Sequence, residues 1–177
     1  EGPGNLRGVR YLFEQELKDE IDYFVAVDGA GLNVVSRAVG SNRYTVTYKG
    51  PGGHSFGAFG IPNPIHALGR AISKVSDIQV PASPRTTFSV GIVRGGTSVN
   101  SIAFEASMDI DMRSESADAL RTLDQTARRA FEEALDEENA RWQGARADRA
   151  RITLEIDTIG IRPTGAQSDS GRIVQVA

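Results

Sequence analysis

Two glycine-rich loops hold the side chains best suited to chemistry. The first, Gly50-Pro51-Gly52-Gly53-His54-Ser55, offers an imidazole on a backbone that three glycines leave free to pass close to a ligand. His54 can donate a hydrogen bond to an oxyanion, or serve as a general acid or base. Phosphate binding fits poorly, because the loop meets neither the Walker spacing nor the dinucleotide fingerprint. The second loop, Gly95-Gly96-Thr97-Ser98-Val99-Asn100, presents a carboxamide able to contact a ligand amide or carboxylate. Arg113 adds a planar fork that matches a carboxylate. Asp28 closes an apolar run, a sensible place for a carboxylate that ligates a divalent cation. Each residue also has a plainer reading. His54 can stabilise a surface turn, Asn100 can sit in a hairpin turn, and Arg113 can pair with Asp111 or Glu115 on a solvated face. His66, the second of two histidines, reads as helix packing. The acidic runs Glu132-Glu133 and Asp136-Glu137-Glu138 read as the wet face of a long helix.

The elements that must carry these loops follow from periodicity. Asn5 to Glu16 has apolar residues at helical spacing. Tyr23 to Val27 is a continuous apolar run ending in Asp28-Gly29-Ala30-Gly31, the pattern of a buried parallel strand with Asp28 at its C-terminal end. Leu32 to Val39 reads as extended. Arg43 to Lys49 alternates, with Tyr44, Val46 and Tyr48 on one side. Asn63 and Pro64 open a helix with Ile65, Leu68, Ile72 and Val75 on one stripe. Thr87 to Val93 is a strand with Phe88, Val90 and Ile92 on one face. Phe104 to Arg113 is another, Ala106, Met108, Ile110 and Met112 opposing Ser107, Asp109, Asp111 and Arg113. Ser116 caps a helix running to about Ala140 on a stripe of Leu120, Leu123, Ala127, Phe131 and Leu135. Gly144 to Ala150 reads as an exposed connection, and Arg151 to Asp157 as a last strand with Ile152, Leu154 and Ile156 inward. Ser170 to Ala177 reads as the first turn of a helix. From Arg43 to Asp157 the order is strand, helix, strand, strand, helix, strand. An α+β, ferredoxin-like two-layer sandwich follows: an antiparallel four-stranded sheet with two helices on one face.

Composition narrows the function. Hydrophobic residues make up 40% and charged ones 24%, the balance of a globular domain. The net charge of −3 gives no electrostatic footprint for nucleic acid, no strand shows exposed aromatics for base stacking, and no apolar run spans a bilayer. The absence of cysteine removes disulfides and thiolate ligands and fits a cytoplasmic setting. With two histidines, a His-rich metal site cannot be completed within the chain. A start at Glu1 in a Gly/Pro-rich stretch and a stop at Ala177 within a helical turn suggest a piece of a longer protein.

Five segments together resemble one family: Glu1-Gly2-Pro3-Gly4-Asn5-Leu6-Arg7-Gly8, Val27-Asp28-Gly29, the His54 loop, the Asn100 loop and Asp111-Met112-Arg113-Ser114. In order and spacing they resemble the zinc exopeptidases and amidohydrolases that include acetylornithine deacetylase, succinyl-diaminopimelate desuccinylase, aminoacylase-1 and tripeptidase T. The resemblance implies a lid domain over residues 41–158 inserted into an α/β catalytic domain, with 1–40 and 159–177 as flanking pieces. It implies homodimerisation through the lid, and a peptide or N-acyl amino acid as substrate. It implies Glu1 and Asp28 as zinc ligands of a two-zinc site, His54 as the residue that stabilises the oxyanion in the partner subunit's site, and Asn100 and Arg113 as the grip on the substrate's carboxylate side. A dinuclear site needs about three or four ligands per zinc. This chain offers two, so the chain alone is expected to bind no zinc tightly and to hydrolyse nothing. The rival expectation is a non-catalytic ferredoxin-like module that dimerises or binds a small ligand.

Overall fold

In the computed structural model, residues 6–27, 31 and 33–176 are described. The centre is an antiparallel sheet of four ten-residue strands, β2 (Gly40–Lys49), β4 (Thr86–Gly95), β6 (Glu105–Ser114) and β7 (Thr153–Arg162). Short pieces β1 (Arg37–Ala38), β3 (Gly53–His54), β5 (Ser101–Ile102) and β8 (Gly165–Ala166) lie outside it. The order across the sheet is β4-β6-β2-β7, the ferredoxin-like arrangement. Two helices, α2 (Pro64–Ser76) and α3 (Ala117–Arg141), cover one face.

Alternation explains the packing. Tyr44 pairs with Ile110, Val46 with Met108 and Tyr48 with Ala106, so the apolar set of each strand points the same way. Against it pack Ala67, Leu68, Ala71 and Val75 of α2 and Leu120, Leu123, Ala127 and Phe131 of α3. Burying each large side chain contributes about 1.5–3 kcal/mol. The Asn63 side chain accepts from the Ile65 N–H at 2.9 Å, with Pro64 at the first helical position, and the Ser116 hydroxyl accepts from the Ala119 N–H at 3.3 Å.

One polar bond crosses this core: the Tyr48 hydroxyl donates to the Phe131 carbonyl at 2.8 Å. Burial pushes the Tyr48 phenol well above its ordinary range. A raised folded-state pKa adds stability that is whole below the unfolded value, about 10, and lost as pH climbs past it. Tyr48→Phe is expected to cost about 1 kcal/mol at pH 7, and its urea midpoint should fall less steeply than that of the parent chain above pH 10. Parallel slopes in the two proteins would show that the phenol carries no alkaline linkage.

Several expectations need correction. Residues 21–27 form no strand, and Tyr23, Phe24, Val25 and Val27 are exposed. No described strand pairs with them, and one segment cannot make a sheet; Phe24 instead meets Phe13, edge to face at 5.2 Å. The N-terminal helix is α1 (Arg7–Tyr11) running into a π-helical turn, Leu12–Glu16. The extended Leu32 to Val39 segment narrows to β1, with Leu32 outside the described residues. Strand alternation fails at Gly91, where a bulge sets Val90 opposite Ile110 but Ile92 opposite Asp109, turning Ile92 to the wet face. The stretch 144–150 is not merely an exposed connection: it holds α4 (Ala145–Asp148), and Ala147 and Ala150 are buried. The last strand runs on to Arg162, and α5 (Arg172–Val176) supplies the expected C-terminal helical turn.

Candidate functional site

The two glycine-rich loops meet. β3 pairs antiparallel with β5, with Gly53 opposite Ile102 and His54 opposite Ser101, and the Ser55 N–H donates to the Asn100 carbonyl at 2.8 Å. Gly52 makes the approach possible. Its φ of +66° is left-handed, and a Cβ there would lie 2.7 Å from the Phe104 ring.

The histidine is oriented by its own loop. Nδ1 of His54 accepts from the backbone N–H of Phe56 at 3.2 Å and of Gly57 at 3.3 Å. A neutral imidazole that accepts at Nδ1 carries its hydrogen on Nε2. That nitrogen is therefore a donor on an exposed side chain. Beside it, Asn100 Oδ1 accepts from the Ser98 hydroxyl at 2.5 Å, which leaves the amide NH2 as the group to offer. Phe56, Val99 and Phe104, chain neighbours of these loops, are 90%, 104% and 61% exposed. Apolar side chains flanking two polar donors suit a surface that another surface covers.

Arg113 lies elsewhere. It sits opposite Ser41 on β2 and Thr87 on β4, at the far end of the sheet. From Glu105, near the loops, β6 runs about 27 Å to reach it. Arg113 Nε donates to Asp111 Oδ2 at 2.7 Å, while Arg43 Nε donates to Asp111 Oδ1 at 2.9 Å. Partial burial raises the Asp111 pKa, but the two guanidinium groups outweigh it and hold the carboxyl below its usual range. Asp111 rather than Glu115 is the ion-pair partner; the Glu115 carboxylate accepts the Arg85 backbone N–H at 3.0 Å. Arg113 also lines a groove of about 260 Å³ with Val39, Arg85, Thr87 and Glu115. Within one chain, then, His54 and Asn100 are together and Arg113 is apart. A larger groove of about 570 Å³, between the end of α2 and the start of α3, contains none of these residues.

Glu1 and Asp28 lie outside the described residues. Among the described residues, no group of three or more His, Cys, Asp or Glu side chains is arranged to hold a metal ion. No described helix is long and apolar enough to cross a membrane.

Two acid and histidine readings change. Glu138 is not solvated but fully buried, accepting from the Asn63 N–H at 3.1 Å, Arg70 Nε at 3.1 Å and Trp142 Nε1 at 3.2 Å. His66 is not packed; its side chain is 58% exposed, with Nδ1 3.8 Å from Glu138. Sequence reasoning also passed over Trp142 and Arg146, which reach the His54 loop. Trp142 meets Phe59 edge to face at 5.3 Å, and Arg146 Nη2 donates to the Gly57 carbonyl at 2.9 Å. The signal for Trp142 was its being the only tryptophan; for Arg146 there was none.

Comparison with known proteins gives a consistent picture. The peptidase dimerisation domain family (M20_dimer) matches residues 37–139, more than half of the chain. No curated protein sequence matches. Among solved structures, an aminobenzoyl-glutamate utilization protein from Klebsiella pneumoniae is 18% identical with a TM-score of 0.63, over 73% of this chain and 30% of its own. Aminopeptidase PepT from Bacillus cereus is 18% identical with a TM-score of 0.60, over 80% and 35%. A hydantoinase/carbamoylase family amidase from Burkholderia multivorans is 17% identical with a TM-score of 0.59, over 74% and 30%. At these identities the likeness is one of fold, and the chain spans about a third of each of those proteins.

Proposed function

Since this chain belongs to the peptidase dimerisation domain family, we propose that it is the lid of a zinc-dependent metallopeptidase or amidohydrolase that cleaves an amide or peptide bond next to a free carboxylate. Residues 41–158 form the lid, and the flanks belong to the catalytic domain. Pairing of β1 with β8, with the Gln167 N–H donating to the Ser36 carbonyl at 2.8 Å, supports this. The chain enters and leaves the sandwich side by side, as an inserted domain must.

The observation that carries the reading is the oriented His54 beside Asn100. Nε2–H of His54 would donate to the carbonyl oxygen of the scissile bond as it becomes an oxyanion, and the Asn100 amide would bind the substrate beside it. Arg113 would hold the substrate carboxylate, with Asp111 fixing its Nε edge. Zinc would come with ligands from the catalytic domain, joined by Glu1 and Asp28, and would polarise the scissile carbonyl and activate water.

Arg113 is too far from His54 to act on the same small substrate within one chain. A homodimer removes the difficulty. β4 is an edge strand whose Gly95 end lies by the loops and whose Thr86 end lies by Arg113. Pairing β4 antiparallel with its copy about a two-fold axis brings His54 and Asn100 of one protomer to the Arg113 end of the other. The opposite edge, β7, carries Glu155, Asp157 and Arg162, whereas from Thr86 to Val93 β4 carries no charge.

Subunit mixing tests the arrangement. In an enzyme containing this chain, His54→Ala and Arg113→Ala homodimers should each be nearly inactive. Randomly mixed, half the dimers are hybrids, each with one intact site, so about a quarter of wild-type activity should return. No return on mixing, with hybrids shown to form, would rule out a site shared between protomers.

A further inference from the structure

Resting on the reading of His54 above, we propose that Arg146 is a positioning residue that fixes the orientation and tautomer of His54 through the Gly57–Ala58 peptide. Arg146 belongs to α4, 92 positions along the chain from His54. Its Nη2 donates to the Gly57 carbonyl at 2.9 Å, and the N–H at the other side of that peptide, on Ala58, donates to the His54 carbonyl at 2.8 Å. The peptide plane is thus pinned between the guanidinium and the histidine backbone. Gly57, now fixed, points its own N–H at His54 Nδ1, and Phe56 adds a second donor.

The anchor itself is built in. Ala147 of α4 is buried, and Ala150 packs with Ile61 and Ile102, with Ala58 against them. A second strap runs in parallel: Phe59 against Trp142, whose Nε1 donates to the buried Glu138. A loop tip whose largest side chain, Phe56, stands exposed has little of its own to hold one conformation. Without Arg146, the Gly57 N–H is free to leave Nδ1, and the ring loses one of the two bonds that keep its hydrogen on Nε2.

The test reads the ring directly. In ¹⁵N-labelled protein, the His54 ring signals are assigned by difference with His54→Gln, and amide exchange is followed at Phe56 and Gly57. The parent chain should show His54 predominantly as the Nε2–H tautomer. Arg146→Ala should mix the tautomers and speed exchange of both amides about tenfold, and Arg146→Lys should restore part of the order. Unchanged tautomer populations and exchange in Arg146→Ala would overturn the proposal. Kinetics in an enzyme containing the chain separate this from the function of His54. A lower kcat at constant KM supports both. Disordered tautomers with unaltered turnover would leave the Arg146 brace standing and remove the oxyanion role.

Discussion

His54→Ala in an enzyme containing this chain is expected to lower kcat by about 10²–10³-fold while KM moves little. The asymmetry follows from where the charge appears. A neutral carbonyl oxygen gains modestly from the Nε2–H donor, and the oxyanion of the tetrahedral intermediate gains far more, so the bond is felt chiefly in the transition state. Stability should not change. His54 is an exposed residue, and so are Phe56 and Gly57, whose N–H groups lose their acceptor at a surface where water can replace it. Initial rates over a full substrate range, with melting curves on the same samples, check both halves. A rise in KM at unaltered kcat would make His54 a ground-state contact and sink the oxyanion role.

How far this arrangement could be read from sequence depends on which forces act locally. The strict alternation of β6 and the Tyr44-Val46-Tyr48 set place their residues correctly, because a strand between two neighbours has one dry and one wet face. The caps at Asn63 and Ser116 were legible because capping is a matter of a few adjacent residues. Gly91 was not read as a bulge, since a glycine in a strand also fits regular pairing, and the flip of Ile92 was lost with it. Tyr23 to Val27 looked like a buried strand, but what buries a strand is its neighbours, and the run itself does not say whether they exist.

The candidate site divides in the same way. Each glycine-rich loop stands out alone, yet their meeting rests on the β3–β5 pairing, which neither spacing nor the family resemblance supplied. The wet face of β6 already put Arg113 beside Asp111, and that pair forms. The separation of Arg113 from His54 needed only the length of β6. Glu138 was misread for its company in an acidic run, although it continues the helical stripe seven residues beyond Phe131. Periodicity held the answer, and residue type overrode it.

That misreading sets up the largest stability effect. Glu138→Ala is expected to cost about 3 kcal/mol, lowering Tm by about 6–12 °C for a chain of this size. The carboxylate is fully buried and holds three donors from three places: the Asn63 N–H before α2, Arg70 within it and Trp142 after α3. Removing it strands the Asn63 and Trp142 N–H groups and leaves Arg70, whose side chain is 34% exposed, without its counter-charge. Water can relieve part of the Arg70 cost, which keeps the figure below the upper range for buried pairs. Glu138→Gln keeps shape and two acceptor sites and should lose about half as much. The neighbouring Glu137 supplies the contrast. It also meets a cation, Lys74 at 2.8 Å, but its side chain is 48% exposed. Glu137→Ala should stay within about 0.5 kcal/mol of the parent chain. Urea titrations of the three variants decide the matter: equal, small losses at 137 and 138 would mean that water reaches both carboxylates, and that Glu138 ties nothing together.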